Sequence, residues 1–569
     1  MNKRFAAAFL GFAIAYSLAV SLSQTINVVF SQWSILRPQF AAVDISWILA
    51  MVAVAGGATT VLLKSQRLQV GIALCAAGVG GLVVMYRHEG RAAALAVVIG
   101  GAALVGGSRL LQRRFREPLA RFLDNHPWKS ILWICLVLLL VVQSGRLAAY
   151  MADDRVDWWL TTRHEFWAKH MCMPAYLHAV DLHRQGETNL YDARHYPTLV
   201  RSAKVHLKIK NMEAYAGDAY QYPPQFLLAP RLALYLTNDF LKIRTVWFCL
   251  QLFGFVLIAF LLASWVQTEA GWTPFLLIPV VWVSVPVLQS MQFGQFHLAA
   301  ICLSLGAMFA FAKERHATGG MLLAAATLGK IFPGILILLL VLQRKWRSLI
   351  WTAVFGLAFT VATLLVFGSN PFSSFVSYQL PRLVSGQAFD FTRDWPELTD
   401  LIVADNISPV GFVAKLSRLG VPGMSEAVGR GAGTVYSLVV LALALFAGRA
   451  CGSRLAQACL WLALLNLAAL QSPAAWGDYV PVGTVWLLSL IPLQSLNASF
   501  ARKLLLGAGW LFSVSLIGIV PMPFIPDGSL PIAISSIAAL VIISVNIAVV
   551  LTLERGAESG AVAPRPGAL

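Results

Sequence analysis

The sequence is short of charge. Only 12% of its 569 residues are Asp, Glu, Lys or Arg, where a soluble domain carries roughly 25%. That leaves too little polar surface to cover a water-soluble body of this length. Acidic residues are the scarcest, 26 against 43 basic ones, for a formal charge of +17. This excess does not mark a nucleic-acid binder. Lys and Arg sit in short clusters between apolar blocks, the pattern of cytoplasmic loops in a membrane protein. Cysteine is sparse and scattered: Cys75, Cys135, Cys172, Cys249, Cys302, Cys451 and Cys459. No CxxC or Cys/His spacing occurs, so neither a structural disulfide nor a zinc site is expected. A GxGxxG motif is also missing, and with it any sign of a Rossmann domain. There is no long internal repeat, which argues against a transporter built from inverted repeats.

What is present is apolar sequence, 58% of residues, with a mean hydropathy of +0.72. It falls in blocks at 5–29, 45–63, 68–86, 91–111, 130–151, 243–265, 272–289, 293–312, 319–343, 346–367, 432–448, 455–471, 479–493, 503–520 and 530–551. A helix needs about 20 such residues to cross a hydrocarbon core. The expected fold is an all-α polytopic membrane protein, a helical bundle of about 13–15 membrane segments. Two long extracytoplasmic loops carrying juxtamembrane helices are expected, at 152–242 and 369–430. The amino terminus reads as an uncleaved first span rather than a signal peptide, because the topology closes only if it stays inside.

Four parts follow from this pattern. Residues 1–112 form an accessory block of about four spans, and 113–500 a catalytic membrane domain containing both loops. Residues 501–555 are further membrane helices, and 556–569 a disordered cytoplasmic tail. Segment 224–241 is expected to lie along the outer surface, since Arg231 interrupts it. For Lys313–His316 and Arg344–Arg347 both to be inside, the block between them must enter and return. Gly329-Lys330-Ile331-Phe332-Pro333-Gly334 at its centre allows this, because Pro333 can break the helix. The block therefore reads as a re-entrant hairpin with Lys330 near its tip. Exposed backbone at that depth is tolerated only where it lines a polar cavity.

The residues able to do chemistry gather on the outer side. Asp153, Asp154 and Asp157 stand just beyond the end of the 130–151 span, where the phosphate and sugar of a lipid-linked substrate would sit. A carboxylate there can deprotonate an attacking hydroxyl. Tyr222-Pro223-Pro224 opens an apolar run. Gln295 and His297 mark the outer end of a span. Lys330 is a lysine inside a membrane segment, costly and by default functional, with a phosphate as its obvious partner. Asn370-Pro371-Phe372 opens the second loop. Ser472-Pro473-Ala474-Ala475-Trp476-Gly477-Asp478-Tyr479 forms an outer turn.

The order of these features, with the Gly186…Leu190-Tyr191-Asp192 motif between them, resembles the bacterial GT-C glycosyltransferases of family 87. Mannosyltransferases using polyprenyl-phosphate-mannose are among them. The resemblance covers about 130–500. It implies a GT-C-like bundle in a bacterial inner membrane, with its active site on the extracytoplasmic face. It further implies a polyprenyl-phosphate-sugar donor, mannose or another hexose, and a glycolipid or polysaccharide acceptor. Transfer would proceed with inversion, an Asp of the first outer loop serving as base. Lys330, directly or through Arg163 or His164, would bind the donor phosphate. Tyr222 and Gln295 would take part in binding substrate or donor, His297 would orient substrate or share in proton handling, and Trp476 and Asp478 would line the sugar pocket. No cofactor or metal is implied, and the partners are lipids rather than nucleic acid. The sequence departs from the family at Met171–Tyr176, where the carboxylate is expected and none stands. Val156-Asp157-Trp158 is the nearest match, which makes Asp157 the first candidate base, then Asp154 and Asp153, with Glu165 a further one. Two other readings compete: a flippase or transporter of lipid-linked sugars, and a GT-C enzyme of the O-antigen ligase or polymerase kind.

Overall fold

A computed structural model describes residues 147, 150–151, 170–196, 208–213, 215–266, 281–282, 284–390, 395–448, 453–490, 499–514 and 529–552. The accessory block 1–112, the tail 556–569, and Asp153, Asp154, Asp157, Arg163, His164 and Glu165 lie outside the described residues.

The described chain is almost wholly helical, as its apolar blocks require, and it is an all-α polytopic membrane protein. Among the described residues, four helices are long and apolar enough to cross a bilayer: α3 (Phe240–Val266), α8 (Trp346–Phe367), α13 (Glu426–Ala447) and α17 (Ser529–Thr552). Preceding α3 are α1 (Met173–Arg184) and α2 (Leu228–Leu236). The nine residues of α2 make about 13 Å of helix, too little to cross. Between α3 and α8 come α4 (Val285–Gln292), α5 (Phe296–Ala312), α6 (His316–Gly329) and α7 (Gly334–Leu342). The helices α4 and α5 diverge by 110° at a three-residue break. Gly294 stands in that break with φ +62°, a left-handed conformation that favours glycine.

The hairpin expected around Lys330 is visible in how its neighbours pack. Helix α5 runs antiparallel to α6: Phe311 lies against Gly319 at one end, Phe296 against Gly329 at the other. Helix α6 starts beside the start of α8, with His316 Nδ1 3.1 Å from Ser348 Oγ. Gly320 lies against the Trp351–Thr352 backbone. Since α7 ends four residues before α8 begins, it must return toward the level where α6 started. Lys330 therefore sits at the tip, level with the amino end of α5. The tip is short because Pro333 and Gly334 open the returning helix immediately.

This arrangement gives the bundle two ends. Lys313, Arg315, Arg344, Lys345 and Arg347 share one, with Arg454, whose guanidinium donates to the Trp265 carbonyl at 3.0 Å. The other end holds the α4–α5 break, the hairpin tip, the described residues of 170–227 and the turn 470–481. It is also where the described residues of 369–425 lie, with short helices α9 (Asn370–Ser374), α10 (Leu380–Ser385), α11 (Thr399–Asp405) and α12 (Pro409–Arg418). After α13 come α14 (Arg454–Ala469), α15 (Val482–Leu490) and α16 (Phe500–Val514). Strand character is confined, among the described residues, to β1 (His170–Met171) and β2 (Ala216–Gly217), paired in parallel. Buried Arg244 of α3 donates to the carbonyls of Tyr150 and Met151 and stacks on the rings of Tyr150 and Tyr215. It thus ties Tyr150 and Met151, just before the first long loop, to the start of α3 at that loop's far end.

Candidate functional site

The site is built where these elements converge. Cys172 and Met173 donate backbone N–H groups to the Phe293 carbonyl, at 2.8 and 3.3 Å, fixing the start of α1 on the α4–α5 break. The break is held from the other side by α3. Trp247 Nε1 donates to the Gly294 carbonyl and Gln251 Nε2 to the Gln295 carbonyl, each at 3.1 Å.

Gln295 is the hub. Its Oε1 accepts from Tyr222 Oη (2.6 Å), Tyr176 Oη (3.2 Å) and the Phe296 N–H (2.8 Å). Its Nε2 lies 3.2 Å from Cys172 Sγ, and that thiol donates to Asp218 Oδ2 at 3.0 Å. The two tyrosine hydroxyls are 2.7 Å apart. Burial pushes the phenols of Tyr176 and Tyr222 and the Cys172 thiol upward, the thiol further so because Asp218 is beside it. All three therefore stay protonated and act as donors. The parallel pairing of β1 with β2 is what sets Asp218 next to Cys172, 46 residues away in sequence.

Lys330 stands over this network. Its Nζ is 5.0 Å from the ring centre of Tyr479 and 5.9 Å from that of Tyr222, a range in which an ammonium is attracted to the ring face. Among the described residues, Asp218 is a carboxylate whose charge acts on it. His297 is buried, stacked on Phe332 at 4.8 Å, and its ring centre lies 5.7 Å from that of Tyr479. Its Nε2 has no hydrogen-bond partner in the described protein. A buried polar atom left unpaired in this way calls for an explanation, and a bound ligand supplies one.

The 472–479 turn is clamped by a segment of the second long loop. Asn406 Oδ1 accepts from the Ala475 and Ser408 N–H groups at 3.1 Å, and its Nδ2 donates to the Pro473 carbonyl at 2.9 Å. Ser408 Oγ donates to the same carbonyl, while the Gly477 N–H donates to the Asp405 carbonyl at 2.7 Å. Asp478 is buried, and Oδ1 has no partner in the described protein. Burial, and then the charges of Asp405 and Asp218, push its carboxyl well up. Asp405 is pushed up to about 7 by burial, against the pull of buried Lys415, whose Nζ donates to the Asn406 carbonyl at 2.7 Å.

Of the residues singled out from sequence, Lys330, Tyr222, Gln295, His297 and Asp478 thus meet in one place. Trp476 lies on the clamped turn, bridged to Asn406. The candidate bases and the candidate phosphate partners Arg163 and His164 fall outside the described residues. Sequence reading passed over Asp218, Asn406 and Ser408. The available signal for Asp218 is its place four residues before Tyr222-Pro223-Pro224; Asn406 and Ser408 offer none beyond an Asn-x-Ser-Pro turn.

A multi-span helical bundle with a half-buried lysine on a re-entrant tip, facing the rings of Tyr222 and Tyr479, defines a membrane protein with a polar site at one end of its bundle. Residues 220–473 match the family model of glycosyltransferase family 87, from the Tyr222 motif through Lys330 to Pro473. The match bears out the resemblance carried by the ordered motifs and indicates a glycosyltransferase. No curated protein and no solved structure matches the chain.

Proposed function

We propose that the protein transfers a hexose, with mannose the first candidate, from a polyprenyl-phosphate-sugar to an acceptor hydroxyl. The acceptor is an envelope glycolipid or polysaccharide, and the reaction takes place at the extracytoplasmic face of a bacterial inner membrane. The observation that carries this reading is Lys330. A cation held at the tip of a re-entrant hairpin, against Tyr222 and Tyr479, suits a phosphate brought to headgroup depth by a lipid. As the anomeric C–O bond breaks, charge grows on the leaving phosphate, and a fixed cation stabilises it most in the transition state. His297 Nε2, buried and unpartnered, is available to the sugar or the phosphate. The acceptor oxygen attacks the anomeric carbon from the opposite face, so configuration inverts. Its proton passes to a carboxylate of the 152–242 loop, where Asp157, Asp154 and Asp153 are the candidates taken from the motif order.

Purified protein given polyprenyl-phosphate-mannose and a membrane extract should release polyprenyl phosphate and label an extract component. Lys330→Gln is expected to lower kcat/KM by about 10²–10³, as removal of one transition-state donor does elsewhere. A wild-type protein that releases nothing from any monophosphate donor would sink the reading. Effective competition by a diphosphate-linked oligosaccharide, and none by the monophosphate, would shift it to a ligase or polymerase.

A further inference from the structure

We propose that Asp218 is the carboxylate that takes the acceptor's proton; this rests on the transferase reading above. Such a base must be held in place, must be reachable by an acceptor, and must lie close to the group that holds the phosphate. Asp218 fits on each count. It is half-buried rather than sealed. Its Oδ2 receives the Cys172 thiol at 3.0 Å, a contact that fixes the carboxylate's position without neutralising it. Through Cys172 it is joined to Gln295, and through Gln295 to Tyr222 and Tyr176. It is also the carboxylate whose charge acts on Lys330.

The neighbouring acids fit less well. Asp405 lies behind the clamped turn with its charge drawn to Lys415, and Asp478 is buried in that turn, where burial favours the neutral form. A neutral carboxyl cannot accept a proton. Asp181 is tied up on α1, receiving Gln185 Nε2 at 2.8 Å.

The step balances as follows. The acceptor O–H attacks the anomeric carbon and a new C–O bond forms. The bond from that carbon to the phosphate oxygen breaks, and its electron pair leaves with polyprenyl phosphate beside Lys330. The proton passes to Asp218, which later returns it to water. Cys172 is a positioning residue that orients the carboxylate.

The test uses full-length protein in detergent or nanodiscs, with transfer from polyprenyl-phosphate-mannose and binding of polyprenyl phosphate measured separately. Asp218→Asn should lower kcat by about 10²–10⁴, the usual range for general-base catalysis, while lipid-phosphate binding changes less than about threefold. Asp218→Glu should keep part of the activity, which guards against a loss due only to misfolding. The decisive variant is the swap: adding Cys172→Asp to Asp218→Asn puts a carboxylate on the other side of the same 3.0 Å contact. It should recover activity over Asp218→Asn at least tenfold, which a merely structural aspartate would not allow. Full activity in Asp218→Asn, or a loss matched by lost lipid-phosphate binding, overturns the assignment. So does loss of activity in Asp157→Asn, Asp154→Asn or Asp153→Asn with Asp218→Asn intact, and in that case the transferase reading stands. A wild-type protein that transfers from no lipid-phosphate donor overturns both.

Discussion

At the scale of single residues, the site depends on a few polar groups that satisfy one another. Gln295 Oε1 receives three donors. Gln295→Leu would leave the two tyrosine hydroxyls only each other, so one of their protons loses its acceptor, at about 1–3 kcal/mol for a buried group left unsatisfied. A lower Tm and a weaker transferase are expected, and an unchanged Tm would contradict the network. Asp478 gives a pH dependence. Its folded carboxyl is raised, so its contribution to stability is fully present at acidic pH, below the ordinary carboxylate range, and is lost as pH rises toward the raised folded value. Asn imitates the neutral form. The fall in Tm between pH 5 and pH 8 should therefore be smaller in Asp478→Asn than in wild type. Lys330 and Gln295 were legible in the sequence, because charged or amide groups inside apolar blocks are costly. Asp218 was not. The stretch Met171–Tyr176 offers no carboxylate, and sequence alone turns upstream for one. A four-residue parallel pairing across 46 positions leaves no periodic trace.

At the scale of elements, two close approaches set the geometry. An added Cβ at Gly329 would lie 2.1 Å from Phe296 Cε1, and that ring is flanked by Trp247 and Phe226. Gly329→Ala should therefore push the hairpin tip off α5. The expected cost is about 1–3 kcal/mol of overpacking, with a loss of transfer larger than the loss of Tm suggests. At Gly411 the added Cβ would meet the Asn406 carbonyl oxygen at 2.3 Å. Gly411→Ala should loosen the clamp on the 472–479 turn, readable as faster proteolysis there. The elements themselves were largely legible. Block 346–367 coincides with α8, and Gly329 with Pro333 announced the break before α7. The 110° divergence of α4 and α5 was not evident. The break is held by hydrogen bonds from α3 and from the start of α1, which come from outside both helices.

At the scale of the whole molecule, charge separates the two ends of the bundle. If the basic end is cytoplasmic, a cysteine at Glu314 should resist a membrane-impermeant thiol reagent in intact cells. One at exposed Ser373 should react; the reverse pattern would invert the proposed orientation. The overall plan was legible from composition and the spacing of basic clusters, since hydrocarbon leaves a chain few choices. The joining of the two long loops, through Asn406 to Pro473 or Gln221 to the Ala388 carbonyl, arises from tertiary contacts that no local pattern records. The hairpin has a further consequence. Because both its feet stand on one face, it is silent in the chain's in-and-out parity: it could lengthen or shorten without reversing any later span. Each added helical turn in both arms would raise Lys330 by about 5.4 Å. The depth at which Lys330 stands is thus adjustable independently of the scaffold, and could follow a change of bilayer thickness.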